Sequence, residues 1–140
     1  MSKYFGFLIL DLHIDMDEEE LKRRTKQFAL RIIKLVDALP KTTSGRAIGN
    51  QLVRCGTSVG ANYRSACRGR SKAEFIAKLG IVEEEADESE FWLELLIDGE
   101  IMKKELVEPL RVEAGELTAI FTSSIKSAKR NLKSQIKNPK

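Results

Sequence analysis

Apolar residues recur along most of this chain at three- and four-residue intervals, the spacing of one helical face, and strand-like alternation is missing after residue 15. The first such stretch covers residues 17–38, with Phe28, Ala29, Ile32, Leu35, Val36 and Leu39 on one side. Asp15, with Glu18 three positions later, has the spacing of a capping box and predicts its start. Pro40 and the polar run KTTSG end it. A second stretch begins after Thr43 or Ser44 and runs to about Arg68, where Gly69 stops it. The third opens with Ser71 as N-cap and Glu74 at the matching position, and extends to about Gly99 or somewhat beyond. Its stripe is Phe75, Leu79, Val82, Ala86, Leu93 and Leu96. The fourth begins near Pro109, a residue suited to a first helical turn, and its stripe is Leu110, Ala114, Leu117, Phe121, Ser124, Ala128 and Leu132.

Four amphipathic helices with short connections predict an all-α chain, an antiparallel up-down-up-down four-helix bundle over residues 16–133. Residues 1–15 read as an N-terminal apolar arm and residues 134–140 as a basic C-terminal tail. The apolar run Tyr4 to Leu10 is too short to span a bilayer and lacks the features of a signal peptide, apart from Lys3. The arm is expected to pack on its own or a neighbouring subunit; the alternative is a native start at Met16, where the helical pattern begins.

The second helix is the unusual one. On a helical wheel Ile48, Leu52, Cys55, Val59, Tyr63 and Ala66 form the core stripe, and Gly49, Gly56, Gly60 and Cys67 fall together on its flank. Each interior glycine costs about 1 kcal/mol relative to alanine, so the flank predicts close approach of another helix backbone. Opposite the core lie Asn50, Arg54, Ser58, Ala61, Ser65 and Arg68, with Arg64 nearby and Asn62 at the boundary. Small residues around arginines predict that something docks there: a second protein helix first, a phosphate backbone second. An ordinary solvated face is the plain alternative.

A length of 140 residues suits one domain with its own core. Cys55 and Cys67, about 18 Å apart along one helix, cannot bridge each other and read as reduced core residues of a cytosolic protein. The net charge of +3 hides strong segregation. Residues 38–73 carry seven basic side chains and no acid, residues 74–108 carry twelve acids against three lysines, and residues 126–140 add six basic residues. Such blocks predict helix faces that neutralise one another, or a basic surface for a polyanion.

Four stretches, RTKQFALRIIKLVDALP (24–40), QLVRCGTSVGANYRSA (51–66), SKAEFIAKLGIVEEEADESEFWLELL (71–96) and ELTAIFTSSIKS (116–127), carry a resemblance. Across residues 17–133 the chain resembles the bacterial four-helix-bundle family first known from reading frames within intervening sequences of large-subunit ribosomal RNA genes. The resemblance implies a left-handed bundle that assembles into a ring, a homopentamer, with a nucleic-acid-binding role rather than catalysis. Arg54, Ser58 and Asn62 match the family's polar motif, and Glu84 and Glu88 fall where its third helix is acidic. Ser65 stands where relatives commonly carry an acid, and the start before Met16 has no counterpart.

Catalytic chemistry finds little support. The one histidine, His13, sits in the arm, so neither a His-based triad nor a multi-His metal site can be assembled. P-loop, dinucleotide and paired-cysteine zinc spacings are missing, and the acidic run from Glu83 to Glu94 lacks the Glu-x-x-His partners of di-metal bundles. The chain is therefore expected to be non-enzymatic and to hold no cofactor or metal. Arg54 is expected to reach Glu84 or Glu88, within the chain or across a subunit interface. Arg64, Arg68, Arg70 and Lys72 at the end of the second helix, with Lys129, Arg130 and Lys133 near the end of the fourth, predict one basic pole. Together with Arg54 they are the candidate phosphate contacts. Ser58, Ala61, Asn62, Ser65, Glu84, Glu88 and Trp92 are the candidate oligomer interface, Trp92 as an anchor off the core stripe. The resulting expectation is a cytoplasmic homo-oligomer that binds RNA or DNA and no membrane. The alternative is an accessory subunit that docks an acidic protein partner without contacting nucleic acid.

Overall fold

In the computed structural model, which describes residues 17–137, four helices pack against one another and no strand occurs among those residues. They are α1 (Glu18–Asp37), α2 (Thr43–Cys67), α3 (Lys72–Asp98) and α4 (Lys104–Lys137). The predicted arm, with His13 and Asp15, lies outside the described residues.

Side chains fix the helix starts. The cap of α1 is Asp17, not Asp15: its carboxylate accepts the Glu20 N–H at 2.8 Å. The sequence repeats the Asp-x-x-Glu spacing two residues apart, so both registers satisfied the pattern. Thr42 caps α2 by accepting the Gly45 N–H at 3.1 Å. Ser71 caps α3 as expected, accepting the Glu74 N–H at 3.1 Å, while the Glu74 carboxylate accepts the Arg70 N–H at 2.9 Å. By contrast, α4 begins at Lys104, well before Pro109, which lies inside the helix. Pro109 is exposed, and so is Glu105, whose carbonyl loses its helical donor to the proline. The same helix continues to Lys137, so residues 134–137 belong to it rather than to a tail.

The core is the predicted set with small changes. Phe28, Ile32, Leu52, Cys55, Val59, Tyr63, Leu79, Leu93, Leu96, Leu117 and Phe121 are buried, and the Tyr63 and Phe121 rings tilt against each other at 5.5 Å. Ala29, Val36, Ile48 and Leu132 are only half-buried. Leu21 and Thr25 join the core unforeseen; the Thr25 hydroxyl donates to the Leu21 carbonyl at 2.8 Å, which makes its burial tolerable.

The glycine flank of α2 faces α1. A Cβ on Gly49 would meet Val36 and Leu39, one on Gly56 would meet Ile32, and one on Gly60 would meet Thr25. As residue numbers rise along α2, those of the partners on α1 fall. The same inversion holds between α2 and α3, where Cys55 meets Ser89 and Ser65 meets Lys78. It holds again between α3 and α4, where Glu83 meets Thr122 and Glu90 meets Arg111. α1 and α4 are tied by Arg24, which donates to Glu113 at 2.6 and 2.7 Å and to Glu116 at 2.7 Å.

The end of α3 is a Schellman turn, with Ile101 N–H on the Leu96 carbonyl and Glu100 N–H on the Ile97 carbonyl, both 3.0 Å. Gly99 follows the last helical residue, as predicted, yet the left-handed residue is Glu100, at φ 54°.

Candidate nucleic-acid interface

Of the four-residue ladder Arg54, Ser58 and Asn62 on α2, Arg54 bridges to α3, while Ser58 and Asn62 bond back to carbonyls within α2. The Arg54 guanidinium bonds Glu88 and reaches Glu85 at 3.3 Å; Glu84, one of the two expected partners, is exposed and takes no part. The Ser58 hydroxyl donates to the Arg54 carbonyl at 2.6 Å, and the Asn62 amide to the Ser58 carbonyl at 2.9 Å. Ser65 accepts from the Lys78 ammonium at 2.9 Å. Ser58, Asn62 and Ser65 are all half-buried, whereas Ala61 is exposed. Small side chains therefore sit where helices crowd α2 from both sides, and the outer face is narrower than the wheel implied.

Glu88 is the hub of this seam. It also accepts the indole N–H of Trp92 at 3.0 Å. That bond, followed by the Arg54 guanidinium, holds its carboxyl below the ordinary carboxylate range against the opposing effect of burial. Glu88 in turn raises Arg54, which stays a cation. Trp92, expected off the core stripe, is half-buried against the core, and its neighbour Phe91 is the exposed ring. Cys55 and Cys67 are free and buried, as read from the sequence. Burial raises both thiols, Cys67 to about 11, so neither ionises readily.

The basic end looks different from Arg54. Arg64, Arg68, Arg70, Lys129 and Lys133 are exposed and make no ion pair among the described residues. Lys72 is half-buried, and Arg130 donates to the Ser127 hydroxyl at 3.0 Å. The end is not purely basic, because the first turn of α1 brings Glu18, Glu19 and Glu20. Glu19 shares with Arg64 a groove of about 570 Å³ between α1 and α2. Its walls carry Lys22, Arg23 and Lys26, and Gly60 and Ala61 lie among its lining. Lys22 is held by Glu18 and Glu19 at 3.4 and 3.3 Å, while Lys26 makes no ion pair. These three α1 cations were missed by sequence reasoning; the run LKRRTK was their only signal, and it acquires meaning only once α1 is known to flank α2.

Among the described residues no three His, Cys, Asp or Glu side chains are grouped to hold a metal ion, and no helix is long and apolar enough to cross a membrane.

Comparison with known proteins places this architecture. No curated protein sequence matches the chain significantly. Among solved structures, a protein of unknown function from the S23 ribosomal protein family of Bacteroides thetaiotaomicron is similar, with a TM-score of 0.72 and 38% identity over 78% of this chain and 97% of that one. Residues 18–123 match the model of the 23S rRNA-intervening sequence protein family, and the chain belongs to that family.

Proposed function

We propose that this chain is a non-catalytic, cytoplasmic, self-associating bundle that contacts the sugar–phosphate backbone of nucleic acid through its basic end. In this reading the four helices run up-down-up-down with a left-handed twist and assemble into a ring, which repeats the basic end around its axis. The reversed contact order between successive helices supports the alternation. The family name joins such proteins to the 23S rRNA-intervening sequence, which makes RNA the first polymer to test.

One observation carries the proposal. The candidate phosphate contacts divide into two groups: Arg54 is engaged by Glu85 and Glu88, whereas Arg64, Arg68, Arg70, Lys129 and Lys133 are exposed without an ion-pair partner among the described residues. Exposed cations without ion-pair partners suit phosphate oxygens, a sequence-independent contact. Arg54 thereby leaves the contact set and becomes a positioning residue for the α2–α3 seam. Among the described residues no exposed aromatic ring offers a platform for stacked bases near this end, where Tyr63 and Phe75 are buried.

The test is an electrophoretic mobility shift with RNA and duplex DNA across a salt series. Binding that weakens steeply with salt, and less steeply in an Arg68→Gln/Arg70→Gln variant, supports the proposal. An assembled chain that shifts neither polymer at low salt overturns it and selects an accessory subunit for an acidic protein.

A further inference from the structure

The groove between α1 and α2 shares only Arg64 with the basic end. One wall, on α1, carries Lys22, Arg23 and Lys26; the other, on α2, carries Arg64. Between them the lining is short: Ala29, Thr57, Gly60 and Ala61. The Thr57 hydroxyl is turned back onto the Val53 carbonyl at 2.6 Å. A cleft walled by charge of one sign focuses the potential and concentrates ions of the other.

The four cations are not equivalent. Lys22 is held by Glu18 and Glu19, and Arg23 lies 3.9 Å from Glu20. Lys26 and Arg64, on opposite walls, are exposed and make no ion pair among the described residues. Arg68 stands one turn beyond Arg64 on the same face of α2, a rise of about 6 Å, and is likewise exposed without an ion pair. The groove therefore opens onto the basic end, and its free cations continue those of that end along the side of the bundle.

We propose that this groove holds the backbone of a single nucleic-acid strand, led from the basic end up the side of the bundle. The proposal rests on the nucleic-acid contact put forward above and names the form of polymer taken. Phosphates lie toward Lys26 and Arg64, and sugars pass over Ala29 and Ala61. One flexible strand can follow a charged groove. A duplex, stiff and with both backbones on the outside, bridges the walls instead of entering. A protein helix lacks the apolar bed it requires, because among the described residues none of the large exposed apolar side chains lines this groove. Its lining also has no aromatic ring, so the contact is to backbone and not to stacked bases. Glu19, the acid in the lining, stands 3.3 Å from Lys22 and repels phosphate, so it limits the affinity of the groove.

Fluorescence anisotropy on the full chain tests this, with a labelled oligouridylate of about 12 nucleotides and a blunt RNA duplex of the same length. Lys26→Glu is expected to lower affinity for oligouridylate at least about tenfold at low salt and to change affinity for the duplex by less than about twofold. Glu19→Gln is expected to raise affinity for oligouridylate about twofold or more, a gain that misfolding cannot mimic. A folded chain that binds neither polymer overturns both this groove and the nucleic-acid reading. Binding of the duplex without oligouridylate overturns the groove alone. So does binding of oligouridylate that Lys26→Glu leaves unchanged, that Glu19→Gln fails to tighten, or that falls no further than binding of the duplex.

Discussion

At Gly56 the seam between α1 and α2 leaves no room for a methyl group. An added Cβ would stand 2.9 Å from both γ carbons of Ile32, a β-branched side chain with essentially one helical rotamer. Gly56→Ala is therefore expected to destabilise the fold by about 1–3 kcal/mol, even though alanine is the better helix former. A lowered thermal midpoint by circular dichroism checks it. Glu100 gives the opposite sign. It occupies a left-handed conformation at the end of α3, where a residue with a Cβ is strained by about 1 kcal/mol. Glu100→Gly is expected to raise the same midpoint by a few degrees. Both positions were half-legible in the sequence. The glycine flank of α2 announced a close neighbour without saying which helix it was. Gly99 announced the stop of α3, but the strained residue is the next one along.

The seam between α2 and α3 is where charge does its work inside the fold. Arg54 was expected to meet Glu84 or Glu88, and helical rotation decides between them. Glu85 and Glu88 flank the side turned toward α2, while Glu84 points away. The folded-state pKa of Glu88 lies below its ordinary value because of the Trp92 indole and then Arg54. Its contribution to stability is thus present above the unfolded pKa of about 4.3 and is lost as pH falls through the lower folded value. Glu90 opposes this. Burial and the nearby Glu94 raise it, with Arg111 pulling the other way, so its contribution is present at low pH and lost as pH rises through the folded value. Glu88→Gln is expected to lower stability at neutral pH and to flatten its decline below pH of about 4.3, as measured by chemical denaturation across a pH series. The start of α4 was misread at this same scale. Pro109 is a good first-turn residue, but its exposed position lets the helix begin at Lys104 and run past it.

Across the whole molecule, helix order, core stripes and charge segregation were all legible, because each is written in periodicity along one chain. Juxtaposition was not. The acidic first turn of α1 meets the end of α2, so Glu19 tempers the cations that the sequence of residues 38–73 offers without any acid. For the proposed nucleic-acid contact, each phosphate neutralised contributes about 0.9 to the slope of log affinity against log salt on a duplex, and about 0.7 on a single strand. Arg68→Gln/Arg70→Gln is accordingly expected to lower that slope by up to about 1.8 or 1.4, with an unchanged thermal midpoint. Arg54→Gln is expected to leave the slope alone. The chain's single tryptophan, Trp92, donates to the carboxylate that grips Arg54 and stacks edge-on against Phe91 at 5.1 Å. Its intrinsic fluorescence is therefore a label-free gauge of that seam, with quenching expected as the Glu88 carboxylate is protonated.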